Sequence, residues 1–187
     1  MVNETIKNIL SRRSIRSYET KPVEKNKLSI ILECGQYAPS GMNSQPWHFT
    51  VITNRQVMDK ISEENRRVML QSPVERVRQR AQDPKYDSFK GAPMVIIVSG
   101  AIDAYDPTPS CANAVENMAI AAQSLGLGSC YLGSFKMAME KPEGAFLLKE
   151  LRIPEGYKPL YALILGYGNE TLGERAPRKE NSITHIE

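Results

Sequence analysis

Three arginines and three serines surround Ile15 in the octapeptide SRRSIRSY, residues 11–18. Arginine forks and hydroxyl groups are natural ligands of a phosphate, so this composition predicts an anion site. The alternative is a solvated helix end, because arginine side chains favour the negative pole of the helix dipole. The octapeptide alone leaves both interpretations open.

Two further stretches carry the residue types of a ligand site. APSGMNSQPWHF, residues 38–49, offers many neutral hydrogen-bond donors and acceptors, which suit a planar polar ligand such as a heterocycle. A plain polar loop braced by Trp47 is the alternative. GLGSCYLGS, residues 126–134, places glycines where a ligand can approach backbone N–H groups closely. Together with the arginine stretch, these features favour a phosphorylated cofactor that has a flat ring.

Other kinds of catalytic or metal site have no support in the sequence. The chain contains no P-loop, no G-x-S-x-G and no H-E-x-x-H pattern, and its glycines are wrongly spaced for a dinucleotide fold. Only His48 and His185 could serve a hydrolytic triad, and we assign no catalytic side chain. Three cysteines, Cys34, Cys111 and Cys130, lie too far apart to predict a zinc site or a disulfide framework. We interpret Cys34 and Cys130 as small buried hydrophobic residues.

Length and composition indicate one globular domain over residues 1–187. Hydrophobic residues make up 41% and charged residues 24% of the chain, which excludes wholesale disorder. The net charge of +3 fits one small anionic ligand better than nucleic acid, and the aromatic residues do not interleave with the basic ones. Neither a signal peptide nor a membrane-spanning apolar run is present, so we expect no membrane partner and a soluble, cytoplasmic protein.

Hydrophobic periodicity predicts helices that alternate with three or four strands. The fold class is α+β or α/β, with a mixed sheet flanked by helices. From about residue 169 the chain has no core pattern, so a fraying tail is expected. The predicted strands are 47–52, 93–100, 129–134 and 160–168, and the predicted helices include ones after Pro22 and Thr53, from Ser110 to Gly126, and over 142–151.

RRSIRSY, APSGMNSQPWHF, AAQSLGLGSCYLG and LILGYG follow one another in an order that resembles the nitroreductase family of flavoproteins. The resemblance covers nearly the whole chain from Ser11. It implies an intertwined homodimer, with one non-covalent FMN in each of two interface sites. It also implies hydride transfer from NADH or NADPH, through flavin N5, to nitroaromatics, quinones or similar acceptors. The tail, about residues 169–187, would then extend onto the partner subunit.

The resemblance also implies which residues hold the FMN. Arg12 and Ser14 would hold the phosphate and ribityl chain, and Arg16 would reach the N1–C2 carbonyl edge of the ring. A cation at that edge would stabilise the negative charge of reduced flavin. The other implied positions are Arg13 in the same motif, Pro39, Ser40, Gly41 and Asn43 in a loop from the partner subunit, Tyr131, Leu132, Gly133 and Ser134 along the ring, and Arg178 in the tail.

The sequence departs from the family pattern in two places. The region from Met58 to Lys90 resembles nothing diagnostic, which leaves substrate specificity open. Gly133 stands where some members carry an acidic residue, so backbone contacts alone would serve that edge of the flavin. A family offshoot with enone reduction, dehalogenation or flavin reduction is one alternative, and a flavin-binding storage or sensor protein is another. The physiological acceptor and the choice among NADH, NADPH and ferredoxin as donor stay open.

Overall fold

A four-stranded sheet forms the centre of the computed structural model, which describes residues 2–187. Within those residues six α-helices surround the sheet, and three short 3-10 turns lie at Gly41–Asn43, Ser134–Lys136 and Pro142–Gly144. The strands are β1 (Trp47–Ile52), β2 (Met94–Ala101), β3 (Gly128–Leu132) and β4 (Tyr157–Gly166). The helices are α1 (Glu4–Ser11), α2 (Lys25–Gln36), α3 (Arg55–Leu70), α4 (Glu75–Gln82), α5 (Pro107–Ser124) and α6 (Ala145–Glu150).

The strand order is β1-β2-β4-β3, and all three pairs are antiparallel. The α+β class is confirmed. A parallel pairing occurs, within residues 2–187, only as an isolated bridge between Ser14 and Ser129. The sheet itself is antiparallel, and the only parallel pairing that corresponds to the predicted mixed sheet among residues 2–187 is that single bridge at the outer edge of β3.

Both faces of the sheet are covered, which explains the long apolar runs of the two central strands. On one face Ile96 and Leu163 belong to a core that includes Ile31 of α2 and Met118 of α5. On the other face Ile97 and Ile164 belong to a core that includes Met58 and Ile61 of α3. A sheet buried on both sides has no solvent face, so β2 and β4 show little polar alternation.

A fully buried asparagine ties α3 to the loop after β3. Asn65 Nδ2 donates to Ser88 Oγ at 3.2 Å, to the Ser134 carbonyl at 3.4 Å and to the Phe135 carbonyl. Asn65 Oδ1 accepts from the Ala138 N–H at 2.8 Å. Both the NH2 group and the oxygen of this amide are thus hydrogen-bonded, and most of their partners lie in residues 134–138, about 70 residues further along the chain. The region from Met58 to Lys90, which matches no diagnostic pattern of the family, therefore supports the loop that follows β3.

A carboxylate beside Asn65 organises the turn that leads into β2. Asp87 accepts hydrogen bonds from the N–H groups of Phe89 at 2.7 Å and Gly91 at 2.8 Å. Ser62 Oγ at 3.1 Å and Arg55 Nη2 at 2.9 Å donate to the same group. Burial raises the pKa of Asp87, but these hydrogen bonds and the Arg55 charge outweigh it and lower the pKa overall.

The chain beyond β4 forms neither helix nor strand. Residues 171–187 are exposed along their whole length. No helix among residues 2–187 combines the length and the apolar character needed to cross a lipid bilayer.

Candidate functional site

The arginine stretch forms an extended segment that lies beside the ends of β3 and β4. The Ile15 N–H donates to the Ser129 carbonyl at 2.9 Å. The Glu19 N–H donates to the Tyr167 carbonyl at 2.8 Å, and the Asn169 N–H donates to the Ser17 carbonyl at 2.9 Å. Residues 14–19 therefore extend the sheet locally, and α1 ends before them. The helix-end interpretation of the octapeptide therefore fits Ser11 and Arg12, the last residue and the C-cap of α1, and not the extended residues 14–18.

Glycine makes this close approach possible. A Cβ atom built on Gly128 would lie 2.8 Å from Ile15 Cγ1, and one on Gly168 would lie 3.3 Å from Ile15 Cγ2. Separations below about 3 Å between such atoms require the chains to shift, so a side chain at residue 128 would push the arginine segment off β3. Gly128 of β3 and Gly168 after β4 thus let the arginine segment approach, whereas a Cβ on Gly133, just after β3, would meet no other atom within 4 Å.

The first part of the tail crosses the arginine segment. Arg13 Nη1 donates to the Gly173 carbonyl at 3.2 Å, and Arg175 Nη2 donates to the Arg12 carbonyl at 3.0 Å. A groove of about 890 Å³ lies between the two segments. It is lined by Ile9, Leu10, Arg12, Arg13, Ser14, Arg16, Glu170, Thr171, Leu172, Gly173, Arg175 and Arg178. We call this the arginine groove, and its five guanidinium groups suit a phosphate-bearing ligand.

Arg12 forms an ion pair with a glutamate of α5. Arg12 Nε lies 3.3 Å from Glu116 Oε1, and this Nε atom is buried without a hydrogen-bond partner. The ion pair neutralises one side of the guanidinium group. The outer nitrogens make no hydrogen bond or ion pair within residues 2–187, so they are available to an anion in the groove.

The polar loop at residues 39–45 lies elsewhere, against the first turns of α5. Asn113 Nδ2 donates to the Pro39 carbonyl at 3.2 Å, and the Gly41 N–H donates to Ser110 Oγ at 3.3 Å. Ser40 Oγ accepts from the Gln45 N–H at 3.0 Å. A Cβ on Gly41 would lie 2.5 Å from the Tyr105 ring, so a larger residue here would require this exposed ring to move.

Backbone strain is concentrated in the same loop. Met42, Asn43 and Gln45 have φ values of 53°, 52° and 43°, which lie in the left-handed region that non-glycine residues seldom adopt. Such strain costs of order 1–3 kcal/mol per residue and gathers at functional sites. The loop borders a second cavity, of about 830 Å³, and this cavity shares no lining residue with the arginine groove. Within one chain, the structure therefore does not bring Asn43 together with the arginines.

The third predicted stretch follows the outer edge of the sheet. Tyr131 is 39% exposed and packs against Tyr161, with 4.9 Å between ring centroids. Burial and a hydrogen bond with Tyr161 raise the pKa of Tyr131 above its usual range. The Ser129 carbonyl faces outward to Ile15, so Tyr131, two residues further along β3, turns its backbone groups to the same open side. Leu132 packs partly into the core around α3, and Ser134 begins the turn that Asn65 holds.

Comparisons with known proteins agree with this arrangement. The family model described as "Nitroreductase family" matches residues 9–167. The chain belongs to the nitroreductase family. A crystal structure of a Bacteroides fragilis nitroreductase with bound FMN superposes with a TM-score of 0.92 at 34% identity, covering 99% of this chain and 100% of that one. A Desulfitobacterium hafniense nitroreductase with bound FMN gives a TM-score of 0.91 at 30% identity, with both chains covered completely.

One curated relative is named for its activity. An FMN reductase [NAD(P)H] of Bacillus subtilis is 28% identical over 199 residues, covering 100% of this chain and 74% of the relative. The resemblance to the nitroreductase family stated from the sequence motifs is confirmed.

The cysteines of this family member are all unpaired. Cys111 is buried and donates to the Ser99 carbonyl at 3.8 Å, and burial raises the pKa of its thiol to about 12. Cys130 is also buried, and Cys34 is partly exposed. A thiol with a raised pKa is a poor nucleophile, which supports a packing role for Cys111.

Several residues of the site were not predicted from the sequence. Tyr18 donates to the Ile15 carbonyl at 2.6 Å, and burial raises the pKa of this phenol above its usual range. Glu116, Glu170 and Arg175 also contact the arginine segment. For Arg175 a signal existed, since it lies three residues before Arg178 in an arginine-containing tail. The two carboxylates lie more than 100 residues from the groups they contact, so no local pattern could have identified them.

Proposed function

We propose that this nitroreductase-family protein binds FMN in the arginine groove and transfers hydride from NADH or NADPH to nitroaromatics, quinones or similar acceptors. The observation that carries the proposal is the groove itself. Five arginines line a groove that also includes Ser14, whose backbone bridges to Ser129 of β3, in a chain that superposes on nitroreductases with bound FMN. The volume of about 890 Å³ lies in the range of cofactor pockets.

The donor set fits the phosphorylated part of FMN. We assign Arg12, Ser14 and Arg178 to the phosphate and ribityl chain, because all three line the groove. Arg13 holds the tail through Gly173, so its contribution is to shape the groove. A phosphate gains charge-assisted hydrogen bonds here that a neutral ligand would not gain.

The ring part of the ligand is assigned to the edge of β3. FMN supplies hydride acceptance at N5 and its onward transfer, and no side-chain acid or base is committed to that chemistry. Backbone groups of residues 131–134 orient the ring from the open edge, and Gly133 adds no side chain to obstruct it. Arg16 places its charge near one edge of the ring and favours the reduced state electrostatically.

A second copy of the chain completes the site in this proposal. Asn43 lines a different cavity from the arginines, and Pro39, Ser40 and Gly41 of the same loop do not line the arginine groove, so one chain does not assemble both sets around one ligand. Exposed apolar side chains on α1, namely Ile6, Ile9 and Leu10, give a second subunit a surface to cover. We assign the exposed tail, about residues 169–187, to this contact and treat residues 1–187 as one domain. Cytoplasmic location is part of the same proposal.

Flavin reduction is the second candidate function. The Bacillus subtilis relative named FMN reductase [NAD(P)H] covers the full length of this chain, which favours a free flavin as an acceptor. Enone reduction, dehalogenation and flavin storage or sensing have no comparable support.

The visible spectrum of the purified protein tests the central assignment. The protein should be yellow and release FMN, not FAD, on denaturation. Oxidation of NADH or NADPH should then depend on an added quinone, nitroaromatic or free flavin, which separates turnover from storage. A colourless protein that does not take up FMN would refute the assignment. Sedimentation should show a homodimer, and a folded monomer loaded with FMN would refute the shared site.

A further inference from the structure

Glu170, one of the residues that line the arginine groove, makes an unusual contact with the backbone of the arginine segment. Its Oε1 atom accepts hydrogen bonds from two consecutive backbone groups, the N–H of Arg16 and the N–H of Ser17, the second at 3.1 Å. Successive N–H groups that converge on one oxygen form an anion-binding concavity. A carboxylate of the chain itself therefore occupies a small backbone site inside a groove built for anions.

The contact continues the pairing between the arginine segment and the end of β4. Tyr167 accepts from the Glu19 N–H, and the Asn169 N–H donates to Ser17. At the next step of this ladder, the Ser17 N–H donates to the side-chain oxygen of Glu170, where a regular antiparallel pair would have a backbone carbonyl. Glu170 thus satisfies the two N–H groups where backbone pairing ends, and it determines how the chain runs through Arg16.

The charge of Glu170 is directed at the backbone and not at the guanidinium groups. Within residues 2–187, Glu170 forms no ion pair with an arginine of the groove, whereas Arg12 pairs with Glu116. The arginine forks next to Glu170 therefore stay available to a phosphate. A carboxylate that served mainly to occupy the anion site would be expected to neutralise those forks.

We propose that Glu170 is a positioning residue for the cofactor site. It fixes the backbone of Arg16 and Ser17 so that the cations of the groove face the ligand, and it does not compete with the ligand. The identity of that ligand as FMN rests on the proposed function. The opposing hypothesis, in which Glu170 must leave before an anion binds, predicts changes of opposite sign.

Two substitutions separate these hypotheses. Glu170→Gln keeps an acceptor oxygen and removes the charge, whereas Glu170→Ala removes both. Each full-length variant is stripped of flavin and titrated with FMN, with quenching of flavin fluorescence as the readout. We expect Glu170→Ala to weaken FMN binding about tenfold and Glu170→Gln to stay within about threefold of wild type. Glu155→Ala is the matched control, because this exposed carboxylate lies outside the groove and the tail and its side chain makes no hydrogen bond or ion pair within residues 2–187.

Amide hydrogen exchange supplies a readout that needs no cofactor. In flavin-free protein the amides of Arg16 and Ser17 should exchange faster in Glu170→Ala than in wild type. The Glu170→Gln protein should restore most of the protection, which a charge effect alone would not do.

Each outcome bears on the proposal. Unchanged FMN affinity in Glu170→Ala would overturn it, and tighter binding in either variant would establish competition instead. Unchanged exchange at Arg16 and Ser17 would show that the contact does not hold this backbone, and would also overturn it. If wild-type protein does not bind FMN, the proposed function fails first, and that result is distinct from a wild type that binds while the variants match it.

Discussion

The buried polar groups around Asn65 of α3 and the arginines of the groove differ in where their partners lie. Asn65 is fully buried, and both its amide groups are bonded to other parts of the protein. The groove contains five arginines, and their charged ends are mostly left without a carboxylate partner among residues 2–187. Asn65 completes its hydrogen bonds within the protein. Three of the groove arginines donate only to backbone carbonyls, so their positive charge stays available to an anionic ligand.

This difference separates stability from function. A buried polar group that is fully bonded costs free energy when any partner is removed, because the remaining groups stay desolvated. A half-exposed cation without a partner contributes little to folding, because water solvates it in both states. Substitutions of Asn65 and its buried partners should therefore change the free energy of unfolding, and substitutions in the groove should change ligand binding.

The largest effect on folding is expected for Asn65→Ala. The substitution leaves Ser88, the Phe135 carbonyl and the Ala138 N–H without their buried partner. We expect a loss of about 3 kcal/mol in the free energy of unfolding, measured by urea denaturation of flavin-free protein. Asn26→Ala on the exposed side of α2 is the control, and an equal loss in both variants would contradict the role of the buried amide.

Arg12→Ala tests the other side of the comparison. Removing one charge-assisted phosphate contact should weaken FMN binding by about 1.5–3 kcal/mol, roughly ten- to a hundredfold. The free energy of unfolding without flavin should fall by less than about 1 kcal/mol, because the pair with Glu116 is partly exposed. Arg76→Ala, on the exposed surface of α4, should change neither quantity. A large loss of stability with unchanged FMN affinity would place Arg12 with the structural residues.

The comparison also explains what the sequence could predict. The strand at Trp47–Ile52 is confirmed at its predicted bounds, because its aromatic and β-branched residues are a local signal. The predicted end of the long helix at Gly126 is confirmed, because α5 ends at Ser124 and Gly126 follows its C-cap residue with a φ of +74°. The long helix instead begins at Pro107, three residues before the expected Ser110, because proline is tolerated in a first helical turn.

Asn65 and Glu170, whose side chains bind distant parts of the backbone, could not be predicted from local sequence patterns. Asn65 and Ser62 are the buried polar residues of α3, and a hydrophobic pattern identifies only apolar buried positions. Glu170 contacts Arg16 across more than 150 residues of chain, so only the fold brings them together. Four of the five groove arginines were predicted from a resemblance that covered nearly the whole chain, whereas Arg175 and Glu170 were not predicted.

A smaller effect on folding is expected from the charge of Asp87, and it depends on pH. The pKa of Asp87 is lowered in the folded protein, so its ionised form stabilises the fold at neutral pH. This contribution should be complete above the unfolded pKa of about 4 and be lost as the pH falls through the lower folded value. Asp87→Asn should cost about 1–2 kcal/mol at pH 7 and less in acid. Parallel unfolding curves for both proteins between pH 3 and 7 would contradict this role.

The smallest effect on binding is expected for Arg16, whose guanidinium group is exposed and donates to the Ser14 carbonyl at 3.3 Å. Oxidised FMN is neutral at the ring edge assigned to this cation, so Arg16→Ala should weaken FMN binding less than Arg12→Ala does. Negative charge builds on that edge when the flavin is reduced, and a nearby cation stabilises it. Loss of the cation should therefore lower the midpoint potential, by about 20 mV if the charge contributes about 1 kcal/mol to a two-electron couple.

Two measurements on each reconstituted variant decide between the two roles. A titration with oxidised FMN reports the phosphate contact, and the midpoint potential reports the charge beside the ring. Arg12→Ala should change mainly the first, and Arg16→Ala mainly the second. If both substitutions weaken FMN binding equally and neither changes the potential, Arg16 belongs with the phosphate ligands. If neither substitution affects FMN, the cations of the groove serve a different ligand, and the division between binding and redox tuning within residues 12–16 is wrong.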